Sequence, residues 1–223
     1  MNDPTQTLTA HGRVMMAGLA KWLNNVTGGK LRPAHITTIS LLGHIPAAWA
    51  LWTCQPRLAA ALIAVFAGLD ALDGALARAQ GSASRLGMFF DAVTDRLKEV
   101  IIYAALGVFL AEHHPEAGAW LAPALVGSSL LVSYVKAKGE MAIASGSNSD
   151  AQKLNRTFSG GLGRYEVRMV LLIIGLLVGD LLPGLLQLIV ALNMFTAVGR
   201  FFAIAEVLKG REKKTTKKQK PRG

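Results

Sequence analysis

The chain has 223 residues, of which 52% are hydrophobic and only 17% charged, and its mean hydropathy is +0.37. Soluble domains carry about 25% charged residues, so an ordinary water-soluble domain is excluded and one polytopic membrane domain is expected. The net charge is +10, and the single cysteine, Cys54, excludes an internal disulfide and any cysteine-rich metal site.

The first element is amphipathic. Met15, Leu19, Trp22, Leu23 and Val26 recur at helical spacing with Arg13, Lys21 and Asn24 between them, which predicts a helix lying in the membrane interface or packed on the core. Gly28-Gly29 ends it. No cleavable signal peptide is expected, because no small-residue cleavage site follows an early apolar run.

A transmembrane helix needs roughly 20 mostly apolar residues. Six stretches qualify: 33–54, 58–78, 86–111, 119–141, 164–182 and 185–208. The expected fold is thus an all-α integral membrane protein, six transmembrane helices preceded by an N-terminal interfacial amphipathic helix. Its parts are 1–30, the interfacial segment; 31–208, the membrane domain; and 209–223, a basic tail. The tail holds eight Lys/Arg against one acid, which suits an anionic lipid surface better than nucleic acid.

Alternate connections set the orientation. The stretches 55–57, 113–116 and 180–184 contain one Arg and no Lys, whereas Lys21, Lys30, Arg32, Arg78, Arg85, Lys136, Lys138, Lys153, Arg156, Arg164 and the tail lie on the other side. Positive charge marks the cytoplasmic face. Both termini are therefore expected inside, in the plasma membrane, with the site described next opening at the cytoplasmic face.

The second and third spans carry four carboxylates, Asp70, Asp73, Asp91 and Asp95. Even lenient insertion scales charge roughly 2.5–3.5 kcal/mol for each such residue. The spacings of three and four put each pair on one helix face. A short connection around Gly81 predicts antiparallel neighbours whose carboxylates face each other. Like charges so placed need cations, and oxygen-only ligation indicates Mg²⁺ or Mn²⁺. The competing structural reading is that Arg78, Arg85, Arg96 and Lys98 pair with the acids as helix–helix glue. Against it, Gly74 beside Asp73 and Ala77 one turn away let a bulky group approach the backbone, and Arg78 suits a phosphate.

The pattern Asp70-x-x-Asp73-Gly74-x-x-Ala77-Arg78, eight residues, Gly87-x-x-x-Asp91-x-x-x-Asp95 resembles the signature of the CDP-alcohol phosphatidyltransferases without gap or substitution. The resemblance implies six transmembrane helices after an interfacial helix, a homodimer, and two divalent ions (Mg²⁺ or Mn²⁺) held by Asp70, Asp73, Asp91 and Asp95, with Asp95 also the catalytic base. It implies that Gly74, Arg78 and Ser84 hold the nucleotide and its phosphates, and that Pro33, Ala34, His35 and Ile36 lie nearest a CDP-linked lipid such as CDP-diacylglycerol. Where the family often has Thr-Pro-Asn, this chain has Arg32-Pro33-Ala34. The implied reaction is attack of an alcohol hydroxyl on the lipid-side phosphate with release of CMP. Paired metals suit it, and so does a carboxylate base.

The acceptor is the less constrained half. "SYVKAKGE", 133–140, resembles "SYIKAR" of bacterial phosphatidylinositol phosphate synthases and their archaeal lipid counterparts, with Lys138 in place of Arg. Lys136, Lys138, Arg164, Arg168 and Arg200 are accordingly expected to bind the phosphate of a phosphorylated polyol, inositol phosphate first and glycerol 3-phosphate second. Arg200 interrupts an apolar helix, a position that is functional by default. His35, His44, His113 and His114 lack carboxylate or cysteine companions at ligand spacing and are expected to be non-catalytic. The alternative of another class is a divalent cation transporter, which would place its acids near the midplane and repeat them in the second half; no repeat is seen.

Overall fold

The computed structural model describes residues 4–144 and 165–219, with side chains over 14–143 and 165–210. Seven helices and no strand occur among the described residues: α1 (Pro4–Val26), α2 (Pro33–Trp52), α3 (Pro56–Ala79), α4 (Arg85–His113), α5 (Pro115–Ala144), α6 (Tyr165–Val178) and α7 (Leu182–Gln219). Their starts follow from local chemistry. Pro33 and Pro56 open α2 and α3 in the first turn, where the missing N–H costs nothing and φ is already helical. Ser84 caps α4 by accepting from the Gly87 N–H at 3.0 Å. Gly28 and Gly29 take φ of 57° and 73° after α1, a conformation that favours glycine.

The main core joins Ala47, Ala50 and Leu51 of α2, Ile63 of α3, Ile102 and Leu106 of α4, Leu121 and Leu125 of α5, Leu172 of α6 and Leu186 of α7. A smaller cluster seats α1 on α3 and the start of α2 through Ala20, Ile36, Leu72 and Leu76, with Met16 and Leu23 packed against it. The amphipathic stripe of α1 is therefore divided. Leu23 turns inward, whereas Met15, Leu19, Trp22 and Val26 remain exposed.

Three of these helices, Pro56–Ala79, Pro115–Ile143 and Leu182–Gly210, are long and apolar enough to cross a membrane by length and composition. α4 is long enough, but its ionised residues spoil its composition. α2 is diluted by Thr37, Thr38, Ser40 and His44, and α6 is described over only 14 residues. Two expectations change. The last helix does not stop near 208; its backbone stays helical to Gln219, well into the basic segment. And α3 and α4 are not close neighbours. Both pack on α2, with little or no direct backbone contact between them. The interval between their acidic faces is what the site occupies.

Candidate functional site: an aspartate cluster straddling α2

Asp70 and Asp73 lie near the C-terminal end of α3, and Asp91 and Asp95 lie in the first turns of α4. The intervening bend at 80–84, with Gly81 at φ 62°, brings both pairs to the same end of the bundle. Asp91 lies within electrostatic reach of Asp70, Asp73 and Asp95. Each acid is held differently. Thr37 of α2 donates to Asp73 Oδ2 at 2.5 Å, in a buried contact that ties α2 to α3. Lys98 of α4 donates to Asp70 Oδ1 at 2.6 Å and to Asp95 Oδ1 at 2.9 Å. Its side chain is fully buried, while those of Asp70 and Asp95 keep 12% and 20% exposure, so the carboxylates face a partly open space. The other oxygen of Asp70, Oδ2, is buried without a well-formed hydrogen bond, although the Tyr165 hydroxyl is close by. A buried carboxylate oxygen with a lone pair still to satisfy is costly, and an all-oxygen donor set is the kind a hard divalent cation takes.

The glycines of the pattern have local reasons. A Cβ on Gly74 would come within 3.4 Å of Arg78 Nη1, and one on Gly87 within 3.2 Å of Ser84 Oγ. The first is ordinary contact with the tip of an exposed side chain; the second is tight and protects the cap of α4. Ser84 thus has a structural task, with its hydroxyl accepting from Gly87. Pro33 is half-buried, Ala34 and His35 are exposed, and Ile36 is buried in the α1–α3 cluster. Ile36 therefore packs the helix rather than facing the carboxylates. Thr37, absent from the expected set, is the residue of that segment that reaches them.

Beyond the aspartates the polar face continues inward. Glu99 is fully buried. It is paired with Arg96 Nη1 at 2.5 Å and Arg168 Nη2 at 2.7 Å, and it accepts from Ser129. Arg168 also donates to Asn193 Oδ1 at 3.0 Å, and Asn193 donates to Ser128 Oγ at 3.0 Å. One network so joins α4, α5, α6 and α7. Of the residues expected to bind an acceptor phosphate, Arg168 is in this network, only 1% exposed. Its guanidinium is already held by Glu99 and Asn193, which corrects its place from open pocket wall to interior. Arg200 is half-buried, donates to the Val132 carbonyl at 3.2 Å, and lies within electrostatic range of Arg96, Arg168 and Glu140. Lys136 reaches Glu140 at 3.7 Å. Lys138 is exposed, its ammonium 5.7 Å from the Tyr134 ring centroid. Arg164, Lys153 and Arg156 lie outside the described residues.

At the opposite end of α4 one expectation is corrected. Cys54 and His113 do acquire companions: the Cys54 thiol donates to Glu112 Oε2 at 3.0 Å, and ligand atoms of Cys54, Glu112 and His113 lie within 4.8 Å of one another. The helices bring these residues together across 58 positions of sequence, so spacing alone did not reveal it.

The family model described as CDP-alcohol phosphatidyltransferase matches residues 30–199. The chain belongs to the CDP-alcohol phosphatidyltransferase family. It is 31% identical over 182 residues to a phosphatidylinositol phosphate synthase of Corynebacterium glutamicum, covering 76% of this chain and 74% of that one. It is 38% identical over 86 residues to an archaetidylinositol phosphate synthase of Aeropyrum pernix, covering 39% and 41%. Its fold is similar to that of a Mycobacterium tuberculosis phosphatidylinositol phosphate synthase with CDP-DAG bound, with a TM-score of 0.68 at 23% identity over 85% of this chain and 92% of that one. The same mycobacterial enzyme in complex with manganese and citrate gives a TM-score of 0.68 at 24% identity, covering 85% and 88%. This phosphatidyltransferase is a membrane enzyme of phospholipid synthesis, and the cation-transport alternative is set aside.

Proposed function

We propose that the chain transfers a phosphatidyl group from CDP-diacylglycerol to a hydroxyl of inositol phosphate and releases CMP. The observation that carries this reading is the arrangement of charge: four carboxylates of α3 and α4 within electrostatic reach of one another, and a second group of charges, Arg96, Arg168 and Arg200, within range of one another. One region suits metal and pyrophosphate, and the other suits a phosphorylated acceptor. The first relatives named above, phosphatidylinositol phosphate and archaetidylinositol phosphate synthases, support the choice of acceptor.

In this reading Asp70, Asp73, Asp91 and Asp95 would hold two divalent ions, Mg²⁺ or Mn²⁺, which when bound neutralise the pyrophosphate and its departing oxygen. The buried Asp70 oxygen and the manganese complex of the mycobacterial neighbour support that assignment. Thr37 orients Asp73. Asp95, with its partly exposed carboxylate, takes the proton of the attacking hydroxyl. The bare backbone at Gly74 admits the nucleotide phosphates, and Arg78 closes over them, beside the start of α2 at Pro33, Ala34 and His35. Arg200 and Lys136 bind the acceptor phosphate, while Arg168 and Glu99 hold that wall in place. The six-span arrangement, α1 lying in the interface on its exposed Met15, Leu19, Trp22 and Val26, both termini inside, the cytoplasmic-membrane location and a homodimer complete the proposal. CDP-diacylglycerol and membrane lipids are its partners, and nucleic acid is not.

The test is CMP release by purified protein with Mg²⁺ or Mn²⁺, CDP-diacylglycerol and a panel of alcohols. Inositol phosphate should give the highest kcat/KM. Preference for glycerol 3-phosphate would move the enzyme to phosphatidylglycerophosphate synthesis, and preference for free inositol would remove the phosphate pocket.

A further inference from the structure

Lys98 has no place in the family pattern, which ends at Asp95, yet it sits at the centre of the cluster. Its side chain is fully buried, and its ammonium is shared between Asp70 on α3 and Asp95 on α4, at 2.6 and 2.9 Å. The Tyr165 ring, 5.7 Å from Nζ, covers it from α6. A buried lysine needs such partners, and these carboxylates cannot release it without leaving it unpaired. A divalent ion of the magnesium class sits about 2.0–2.1 Å from its oxygen ligands. An ion ligated by Asp70 Oδ1 and Asp95 Oδ1 would therefore fall in nearly the space that Nζ occupies. The Lys98 charge also reaches Asp73 and Asp91, but it forms no ion pair with either among the described residues, and Asp73 Oδ2 is held by neutral Thr37.

We infer that Lys98 is a tethered cation standing in the position of one of the two divalent ions, so that the site loads one ion readily and the second only by displacing the Lys98 ammonium from Asp70 and Asp95. This rests on the reading of the aspartates as metal ligands. Lys98 makes the site unequal. One ion stays resident on Asp73 and Asp91, and the second enters only at higher metal concentration.

The experiment is a Mn²⁺ titration of the full chain in detergent, followed by electron paramagnetic resonance of free Mn²⁺ and by calorimetry. It compares wild type, Lys98→Met, Lys98→Gln and Asp73→Ala. Wild type should bind one Mn²⁺ tightly and a second at least tenfold more weakly. Lys98→Met, which keeps the length and loses the charge, should tighten the second step by tenfold or more, so that the two merge. Lys98→Gln, with a polar end that preserves helix contacts, should do the same and stands in if the Met variant does not fold. Two equal tight steps in wild type, or a second step that neither variant tightens, overturns the inference. Specific binding that Asp73→Ala leaves intact, or none in wild type, overturns the ligand reading itself, and the role of Lys98 with it.

Discussion

Glu99 offers the sharpest test of how this membrane domain tolerates charge. Its side chain is fully buried, its Arg168 partner is 2% exposed at the side chain, and Arg96 keeps 19%. Replacing Glu99 by Ala removes the carboxylate that balances Arg168 but leaves the guanidinium in place. Breaking a buried pair from one side costs about 3–5 kcal/mol, whereas exchanging both partners for apolar residues of similar volume is often neutral or stabilising. Arg96 softens the loss little, since it can turn toward the partly open side. The expected outcome is that Glu99→Ala loses about 3–5 kcal/mol, and that Glu99→Leu combined with Arg168→Met returns to within about 1 kcal/mol of wild type. Reversible unfolding in mixed micelles with added SDS, read by tryptophan fluorescence, measures both. A single variant within about 1 kcal/mol of wild type, or simple additivity of the two changes, would refute the buried-pair reasoning.

Three further outcomes concern the site. Asp95→Asn should abolish CMP release while Mn²⁺ and CDP-diacylglycerol binding persist; turnover near the wild-type rate would remove Asp95 as the base. Thr37→Val deletes the hydrogen bond to Asp73, of a kind worth about 1.5–3 kcal/mol, so kcat/KM should fall roughly ten- to a hundredfold with the fold unchanged, and an unaltered value would make Thr37 incidental. Arg200→Ala should raise the acceptor KM by roughly ten- to a hundredfold on the same estimate and leave the CDP-lipid KM nearly unchanged. Equal loss for both substrates in steady-state kinetics would make Arg200 structural, through its contact with the Val132 carbonyl.

The acidic pattern was legible because its cause is local: the three- and four-residue spacings of the aspartates need only helical geometry. The start at Pro33 was read as it stands, whereas Pro56, placed in a connection, opens α3, and Ser84, assigned to the nucleotide, caps α4. What was not legible depends on which helix stands beside which. The two acidic helices read as direct neighbours because their connection is short, yet α2 sits against both. Its Thr37, 36 positions from Asp73, supplies the contact that no spacing rule covers. Arg168 read as an anion ligand because it stands with Arg164 in the basic stretch GRYEVRM. Its balancing carboxylate lies on α4, far earlier in the chain. The pairing of Lys98 with the acids, weighed as helix glue, does occur, but at two of the four carboxylates and in the middle of the site.

The charges of α4 form one graded stripe. Asp91, Asp95, Lys98 and Glu99 follow at helical spacing and are succeeded on the same face by Ile102 and Leu106, both in the main core. The opposite face carries Leu86, Phe89, Val93 and Leu97, exposed by 76%, 66%, 41% and 46%. A helix so divided cannot lie with its charged stripe toward lipid, where each ionised group is expensive. It is stable only where α2, α3, α5 and α6 surround that stripe, and the ion pairs do this in order of depth. Near the end of the bundle the acids outnumber the cations. One turn further in, Lys98 compensates two of them. Deeper still, Glu99 is outnumbered by Arg96 and Arg168, and beyond it the face is apolar. Along one helix the sign of the charge therefore changes with depth, from unpaired acids through a shared lysine to a carboxylate held by two arginines.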